Sequence, residues 1–327
     1  MNKMILGIDI AKDSFEVALL SDGQWRSASF ENELKGFMKL RRWLKKRKTN
    51  QVQACLEATG RYGEALALYL HEADHQVSIV NPARIKKYAE SKLLRNKTDK
   101  LDARLIADFC LTQQPPLWSP PAEEKRELQE LTRRLNARIS DRTREMNRLE
   151  SGFQSEPVRK SIEDSLAFLN QQIAQLEQQI SDHINQHPSL KRDHSLLTSI
   201  PGIADKSAAR LLGEIPDVNL FDSADQVVAY AGLSPRHHVS GSSVRKPSRL
   251  TRTGKRSLKA ILFFPALAAI RHNPIIQDLA SRLAQRGKPK MVIVGAAMRK
   301  LLRLVYGILK SGQPFDPNYA VKVQSSA

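Results

Sequence analysis

The sequence has few cysteines, few aromatic residues and no long apolar run. Cys55 and Cys110 are the only cysteines, and aromatic residues make up 6% of the 327 positions. Two isolated cysteines in apolar surroundings indicate a reducing compartment rather than a disulfide-stabilised secreted domain. No signal peptide and no apolar run long enough to span a bilayer is present. We therefore expect a cytoplasmic protein without a membrane partner.

Acidic residues are scarce as well, but only towards the C-terminus. The chain carries a formal net charge of +18, and between residues 236 and 310 there are 17 lysines and arginines but one acid, Asp278. A solvated surface usually mixes both signs, so this imbalance predicts phosphate binding. With so few aromatic side chains available to stack on bases, we expect mainly contacts to the nucleic-acid backbone. DNA is the first expected partner.

The pattern of apolar residues changes twice along the chain, which is also longer than one typical domain. It predicts an α/β plus α protein made of three parts. An N-terminal domain (residues 1–115) has the order βββαβαβα, which indicates a mixed sheet with flanking helices. A helical connector (residues 116–195) and a mainly α C-terminal domain (residues 196–327) follow.

Four acids of the N-terminal domain stand at the ends of predicted elements. Asp9 ends the first strand, Glu57 ends the fourth strand, and Asp99 and Asp102 lie three residues apart at the start of a helix that Thr98 is predicted to cap. Brought together at one sheet edge, their oxygens would suit Mg²⁺ or Mn²⁺. The structural alternative is that acids in a first helical turn only complement the helix dipole.

Three motifs carry a family resemblance. GIDIAK around Asp9, LEATG around Glu57 and NKTDKLDAR around Asp99 and Asp102 resemble the RuvC-like DEDD domain of a family of bacterial insertion-sequence transposases, relatives of which invert pilin genes. The resemblance implies a RuvC/RNase H-like sheet and a metal-binding catalytic tetrad of these four acids. It also implies guidance by a structured RNA encoded beside the gene.

Two apolar stripes mark the connector. The first comprises Leu128, Leu131, Leu135, Ile139, Met146 and Leu149; the second comprises Ile162, Leu166, Leu169, Ile173, Leu176, Ile180 and Ile184. An internal helical hairpin and an intermolecular coiled coil both explain this pattern. The second stripe has the stronger spacing of a seam between chains, so we expect a homo-oligomer, a dimer or higher.

The C-terminal domain opens with a Pro-Gly turn between two helical pieces, residues 199–215. This stretch resembles a helix-hairpin-helix element, in which backbone N–H groups hold a DNA phosphate. Gly202 and Lys206 are then candidate DNA contacts. The alternative is that the element only packs within the domain.

A short Ser-Gly-Ser-Ser motif begins at Ser240, inside a segment without acids. By itself the motif is typical of a flexible loop. The transposase resemblance implies that Ser240 is a nucleophile, which needs a base or cation to activate it and positive charge on the phosphate. Candidate bases are His237 and His238. Candidate phosphate ligands are Arg236, Arg245, Arg249 and Arg252.

Together these features predict a DNA transposase or recombinase acting on donor and target DNA. A metal site would cooperate with a serine that holds the cut strand as a covalent phosphoserine. One alternative is a metal-only, structure-specific nuclease of the junction-resolvase type, in which Ser240 is not catalytic. Another is a nucleic-acid scaffold in which the four acids have a structural role.

Overall fold

The computed structural model describes residues 4–47, 49, 51–58, 62–92, 99–152, 155–240, 244–251 and 254–318, but not the side chains of residues 99–101, 236–240 and 244–249. It forms two compact units, Met1–Pro120 and Pro121–Ala327. None of the described helices has the length and apolarity required to cross a membrane. Thr98, Arg252 and residues 241–243 of the serine motif lie outside the described residues.

The first unit contains one sheet with helices on both faces. Its elements are β1 (Ile5–Ile10), β2 (Ser14–Ser21), β3 (Gln24–Glu31), α1 (Leu34–Lys45), β4 (Gln53–Glu57), α2 (Glu64–Glu72), β5 (Gln76–Val80), α3 (Pro82–Ser91) and α4 (Asp99–Gln113). The strand order is β3-β2-β1-β4-β5. The first three strands are antiparallel, whereas β4 and β5 run parallel to β1. The predicted mixed sheet with flanking helices is confirmed.

Strand alternation sends apolar side chains to both faces of this sheet. On one face, Phe15, Val17 and Leu19 of β2 pack with Phe37 and Leu40 of α1. The opposite face is covered by α3 and α4, which bury a separate cluster of apolar residues. The central strands are therefore buried on both sides, and polar side chains on them need a specific explanation.

The second unit is mainly helical, as predicted. Its elements are α5 (Glu123–Glu150), α6 (Glu156–Gln186), α7 (Pro188–Thr198), α8 (Asp205–Glu214), a 3₁₀ turn (Val218–Leu220), α9 (Ala224–Tyr230), β6 (Pro235–Ser240), β7 (Val244–Leu250), α10 (Arg256–His272), α11 (Pro274–Gln285) and α12 (Lys290–Ser311). The antiparallel hairpin of β6 and β7 was not predicted, because its sequence has no alternating apolar pattern.

The connector helices share a hydrophobic core with the C-terminal helices. Leu128 of α5 and Ile180 of α6 belong to the same buried cluster as Leu211 of α8 and Leu301 of α12. One core thus spans residues that the sequence divided at position 195.

The second connector stripe is buried inside the chain. Helices α5 and α6 pack on each other as a helical hairpin, and Ile162, Leu169, Ile173, Ile180 and Ile184 are all less than 9% exposed. Of the two explanations of the pattern, the internal helical hairpin is the one present in the chain, and association between chains stays a prediction. The spacing of the apolar residues predicts an apolar face on α6 but does not identify the helix that covers it. In the structure this helix is α5 of the same chain.

Candidate functional site

Two of the four predicted acids lie at neighbouring strand ends. Strands β1 and β4 are parallel, with Ile8 beside Leu56. The next residue on each strand is the predicted acid, Asp9 on β1 and Glu57 on β4. Because the strands run in the same direction, both carboxylates occupy the same edge of the sheet.

Gly7 determines how closely α4 approaches β1. A Cβ atom on Gly7 would lie 2.1 Å from the carbonyl oxygen of Ala103 and 2.4 Å from the amide nitrogen of Ala107. Only a residue without a side chain permits this contact, so the backbone of α4 rests directly on the strand. Asp9 lies two residues after Gly7 and therefore projects from the same face of β1.

Glu57 projects from this face too. Cys55, two residues earlier on β4, forms a side-chain hydrogen bond with Cys110 of α4, and this bond, together with burial, raises the pKa of the Cys55 thiol. Alternation along β4 then puts Glu57 on the α4 side. On α4 itself, the half-buried Asp102 immediately precedes Ala103, and Asp99 opens the helix one turn before Ala103.

The same edge holds a carboxylate that the sequence did not identify. Glu16 of β2 is the antiparallel partner of Asp9, and directly paired residues project from the same face. Its Oε2 atom is buried, and none of the residues that the structure describes forms a hydrogen bond with it. The only sequence signal for it was the alternation in SFEVALL, which sets Glu16 on the face opposite Phe15 and Val17.

Ser240 and its arginines lie on the hairpin of the second unit. Ser240 ends β6 opposite Val244, and Arg245 is the pairing partner of Val239. Arg236 pairs with Arg249, two positions of like charge directly opposite each other.

The base of this hairpin is tightly packed. The amide of Thr251 donates to the carbonyl of Ser234 at 3.1 Å, and the amide of Lys255 donates to the carbonyl of Tyr230 at 2.8 Å. A Cβ on Gly254, whose φ is +126°, would lie 2.3 Å from the amide nitrogen of Gly232. The chain thus enters and leaves the hairpin through one close backbone contact.

Beneath this base lies a buried carboxylate, Glu214, at the end of α8. It is 2% exposed. Lys255 Nζ lies 2.7 Å from Glu214 Oε2, the hydroxyl of Ser257 donates to the same oxygen at 2.8 Å, and Asn136 Nδ2 donates to Oε1 at 3.2 Å. The guanidinium of Arg210 donates to Asn136 Oδ1, and burial lowers the pKa of Arg210. The network joins α5, α8 and α10.

Of the two predicted helix-hairpin-helix contacts, Gly202 lies in the turn between α7 and α8, and Lys206 lies in the first turn of α8. Gly202 has a φ of +104°, and a Cβ there would lie 2.7 Å from the backbone nitrogen of Ala269 on α10. The ammonium of Lys206 lies 2.7 Å from Glu177 Oε2. The turn therefore packs against α10, and the ion pair with Glu177 ties Lys206 of α8 to α6.

Comparison with known proteins identifies the family. Residues 6–156 match a family model described as transposase, the DEDD type of IS110, and residues 194–281 match the model described as transposase IS116/IS110/IS902 family. A pilin gene-inverting protein of Moraxella bovis is 38% identical over 97% of this chain and 98% of its own length. The chain belongs to the IS116/IS110/IS902 family of transposases. It is a DNA recombinase or transposase.

Two further similarities accompany this assignment. The pilin gene-inverting protein of Moraxella lacunata is 37% identical to this transposase over 97% of the chain and 98% of its own length. Among solved structures, RuvC of T. thermophilus in complex with a Holliday junction substrate matches 34% of this chain and 96% of its own, with 13% identity and a TM-score of 0.26.

The carboxylates of the transposase fit a divalent cation by their chemistry. Asp9, Glu57 and Asp102 offer the hard oxygen donors that Mg²⁺ and Mn²⁺ prefer. Among the side chains that the structure describes, no three or more His, Cys, Asp or Glu are already gathered closely enough to hold a metal ion. That set does not include the side chain of Asp99.

Proposed function

We propose that this transposase cuts and rejoins DNA with two cooperating groups, an acid tetrad and a serine nucleophile. The tetrad is Asp9, Glu57, Asp99 and Asp102, and the nucleophile is Ser240. The observation that carries the proposal is the common edge of β1 and β4: Asp9 and Glu57 are adjacent there, on the face covered by the helix that bears the other two acids.

The tetrad would hold Mg²⁺ or Mn²⁺. When bound, such an ion would polarise a phosphate and offset the negative charge that develops on the attacking and leaving oxygens. Asp9 and Glu57 would supply ligands from rigid strands, whereas Asp99 and Asp102 would supply them from α4, which Gly7 holds against β1. Rigid elements of this kind keep ligands in position before substrate arrives.

Ser240 would store the energy of the broken strand. Its hydroxyl oxygen attacks the phosphorus and forms a P–O bond, its proton passes to a base such as His237 or His238, and the bond to the leaving strand oxygen breaks. The leaving oxygen takes up a proton and becomes a hydroxyl. Attack by a hydroxyl of another strand reverses these steps and releases Ser240, so strands exchange without an external energy source.

The charge of the second unit would hold donor and target DNA. Exposed cations extend from the end of α10 to the start of α12: Arg271, Arg282, Arg286, Lys288 and Lys290. Neutralising phosphates with such side chains releases counterions, so we expect DNA affinity to fall steeply between 50 and 200 mM salt, by roughly 10³-fold for about six contacts. Arg236, Arg245, Arg249 and Arg252 would hold the phosphate at the serine, and Gly202 and Lys206 a phosphate at the α7–α8 turn.

A structured RNA encoded beside the gene would guide target choice. The family resemblance supports this part of the proposal, and α1 offers a basic surface of exposed side chains: Lys35, Lys39, Arg41, Arg42 and Lys45. Homo-oligomerisation is also part of the proposal. Because α5 already covers the apolar stripe of α6, other surfaces would have to form the contact between chains.

The decisive experiment traps the covalent intermediate. The tagged transposase is expressed in cells that carry DNA with the element's ends, recovered under denaturing conditions, digested with nuclease and analysed by mass spectrometry. We expect a nucleotide adduct on Ser240 that disappears in Ser240→Ala and in Asp9→Ala, while Ser242→Ala, the matched control in the same motif, retains it.

Two other outcomes have definite meanings. Strand cleavage that persists in Ser240→Ala without an adduct would identify a metal-only nuclease. Recombination that persists in both Asp9→Ala and Glu57→Ala proteins, with folding intact, would refute the catalytic tetrad.

A further inference from the structure

One face of α10 carries apolar side chains that the protein does not cover. The opposite face of the helix, with Leu258 and Leu262, is buried in the core of the second unit. Phe264, in contrast, is 75% exposed and Leu267 is 37% exposed, and Phe264 is the most exposed large apolar side chain among the residues that the structure describes. Single exposed apolar residues are ordinary, but a continuous stripe on one helix face indicates a binding surface.

Helical spacing places this stripe between two arginines. Arg256, Ala260, Phe264, Leu267 and Arg271 follow one another at helical steps of three or four residues, and all five are exposed. With a rise of 1.5 Å per residue, the arginines lie about 12 Å before and about 10 Å after Phe264 along the helix axis. We call these five residues the α10 stripe.

The ring of Phe264 is oriented by its neighbour. Phe263 is partly buried against the core, and its ring lies nearly perpendicular to that of Phe264, with the centroids 5.4 Å apart and an interplanar angle of 83°. Aromatic pairs prefer this arrangement. The ring of Phe264 is therefore oriented before a ligand arrives, while most of its surface remains accessible.

The charges of the α10 stripe favour a nucleic acid over a second copy of the chain. Helix α10 contains no acid. In an antiparallel pair of α10 helices, Arg256 of each copy would lie beside Arg271 of the other, and in a parallel pair each arginine would meet its own counterpart. Both arrangements bring like charges together, which opposes association. Phosphates on both sides of the ring would instead neutralise both arginines.

We propose that Phe264 is a stacking platform for an unpaired base of the DNA that this transposase recombines, and that Arg256 and Arg271 hold phosphates on either side of it. The inference rests on the proposed DNA contacts of the second unit, which already include Arg271. A paired base presents only its edges in the grooves of the duplex, whereas an unpaired base exposes a face that a phenyl ring can cover.

The position of the stripe favours DNA over RNA as the source of this base. Helix α10 begins directly after Lys255, at the base of the hairpin that carries Ser240. The stripe therefore starts next to the strands that bear the proposed nucleophile. Exchange of strands between two duplexes opens base pairs, so a recombinase meets unpaired DNA bases during its reaction.

The test compares duplex DNA with the same duplex carrying a short run of unpaired bases, both bound by the full chain. Phe264→Ala should bind the unpaired substrate about 5–150-fold more weakly, the range that loss of one stacked base gives, and the duplex within about twofold of the parent. Phe264→Tyr keeps an aromatic face and should retain the affinity. Phe264→Leu keeps apolar volume without that face and should lose it.

Two control variants separate stacking from charge. Phe168→Ala is matched to Phe264→Ala, because Phe168 is a phenylalanine of the same unit that is 56% exposed, and it should bind both substrates as the parent does. Arg271→Ala removes one phosphate contact, so it should weaken binding to both substrates and reduce the slope of affinity against salt by about 1. Phe264→Ala should leave that slope unchanged.

Several results would overturn the inference. If Arg271→Ala weakens binding but Phe264→Ala binds the unpaired substrate within about twofold of the parent, the phosphate contacts stand and stacking is refuted. Equal losses on both substrates would mean that the ring contacts duplex DNA. If the loss is larger for single-stranded RNA of the same sequence than for the unpaired DNA, the ring binds RNA.

The remaining outcomes concern the partner and the arginines. A change of oligomeric state in Phe264→Ala by light scattering, with DNA affinity unaltered, would identify the stripe as a contact between copies of the chain. Unchanged binding of both substrates by Arg256→Ala and by Arg271→Ala would show that the phosphate contacts of α10 are wrong, whatever Phe264→Ala does.

Discussion

Replacing Glu214 tests whether a buried ion pair fixes the base of the serine hairpin. Its carboxylate accepts from Lys255 Nζ, Ser257 Oγ and Asn136 Nδ2, and the Lys255 ammonium also donates to the backbone carbonyl of Glu214 at 3.0 Å. Lys255 directly precedes α10 and is hydrogen-bonded through its amide to Tyr230. The pair therefore ties the strand that leaves the hairpin to the end of α8.

The expected cost of Glu214→Ala follows from burial. Removing one partner of a buried ion pair typically costs about 3–5 kcal/mol, because the other charge stays behind without compensation. The Lys255 side chain is 23% exposed and can recover part of its hydration, which favours the lower end, about 3 kcal/mol. For a unit of this size that corresponds to a decrease in melting temperature of roughly 6–12 °C.

The assay is a double-mutant cycle in urea with Glu214→Ala, Lys255→Met and the double variant. The double variant leaves no uncompensated charge, so it should lose less stability than the sum of the two single changes, with a coupling of about 2 kcal/mol. Hydrogen exchange of β6 and β7 amides should accelerate in Glu214→Ala. Asp278→Ala, which breaks the exposed pair with Arg282, serves as control and should cost about 0.5 kcal/mol or less.

Two results would refute the reasoning. A cost below about 1 kcal/mol for Glu214→Ala would mean that water replaces the three donors without loss. Additive single effects would mean that Glu214 and Lys255 do not interact energetically, whatever their distance.

Two more predictions concern the first unit. Gly7→Ala puts a Cβ into the backbone of α4, so it should destabilise the protein by about 1–3 kcal/mol in urea unfolding and reduce strand cleavage. Gly63→Ala is the control and should do neither, because its Cβ would come closest to two flexible side-chain ends, at 3.1 and 3.3 Å, and would lie 4.0 Å from the nearest backbone oxygen. Normal cleavage by Gly7→Ala would contradict the close packing of α4 on β1. Burial, followed by the charge of Arg41, lowers the pKa of His75, so the unfolded chain binds its proton first and stability should fall as the pH drops below about 6.5. His75→Gln should flatten this fall between pH 7.5 and 5, and an unchanged slope would exclude His75 as its source.

The sheet edge that carries Asp9 and Glu57 was largely predictable, because the local sequence indicates where each strand ends. Apolar runs that stop at Asp9 and Glu57 located both carboxylates, and a helical crossover between two strands predicts that they are parallel neighbours. Glu16 was not predictable in the same way. Its position depends on the register of β1 against β2, which a three-residue connection between Ile10 and Ser14 sets through its backbone geometry.

The hairpin that carries Ser240 escaped prediction for a different reason. Its strands, PRHHVS and VRKPSRL, consist mainly of basic residues, serine and proline, and their few apolar residues do not alternate with polar ones, so no period-2 pattern marks them. What holds it is the contact of Gly254 with Gly232 and the pair of Glu214 with Lys255, and each joins residues more than twenty positions apart or in different elements. Local propensity contains no information about such contacts.

The last prediction tests which helix covers the apolar stripe of α6. Heptad spacing cannot distinguish a covering helix of the same chain from one of another chain. In the structure Ile173 is 6% exposed and packs in the core that α5 and α8 share. Ile173→Asp buries a charge without a partner and should cost more than about 4 kcal/mol, unfolding the second unit at every protein concentration. If the stripe were a seam between chains, the same variant would remain folded as a monomer with an unchanged circular dichroism spectrum. Phe168→Asp lies on the same helix at a position that is 56% exposed and should leave the melting temperature unchanged. Light scattering gives the oligomeric state and thermal unfolding gives the stability, so together they distinguish the two cases. A folded, monomeric Ile173→Asp protein would show that the stripe of α6 packs against another chain and not against α5.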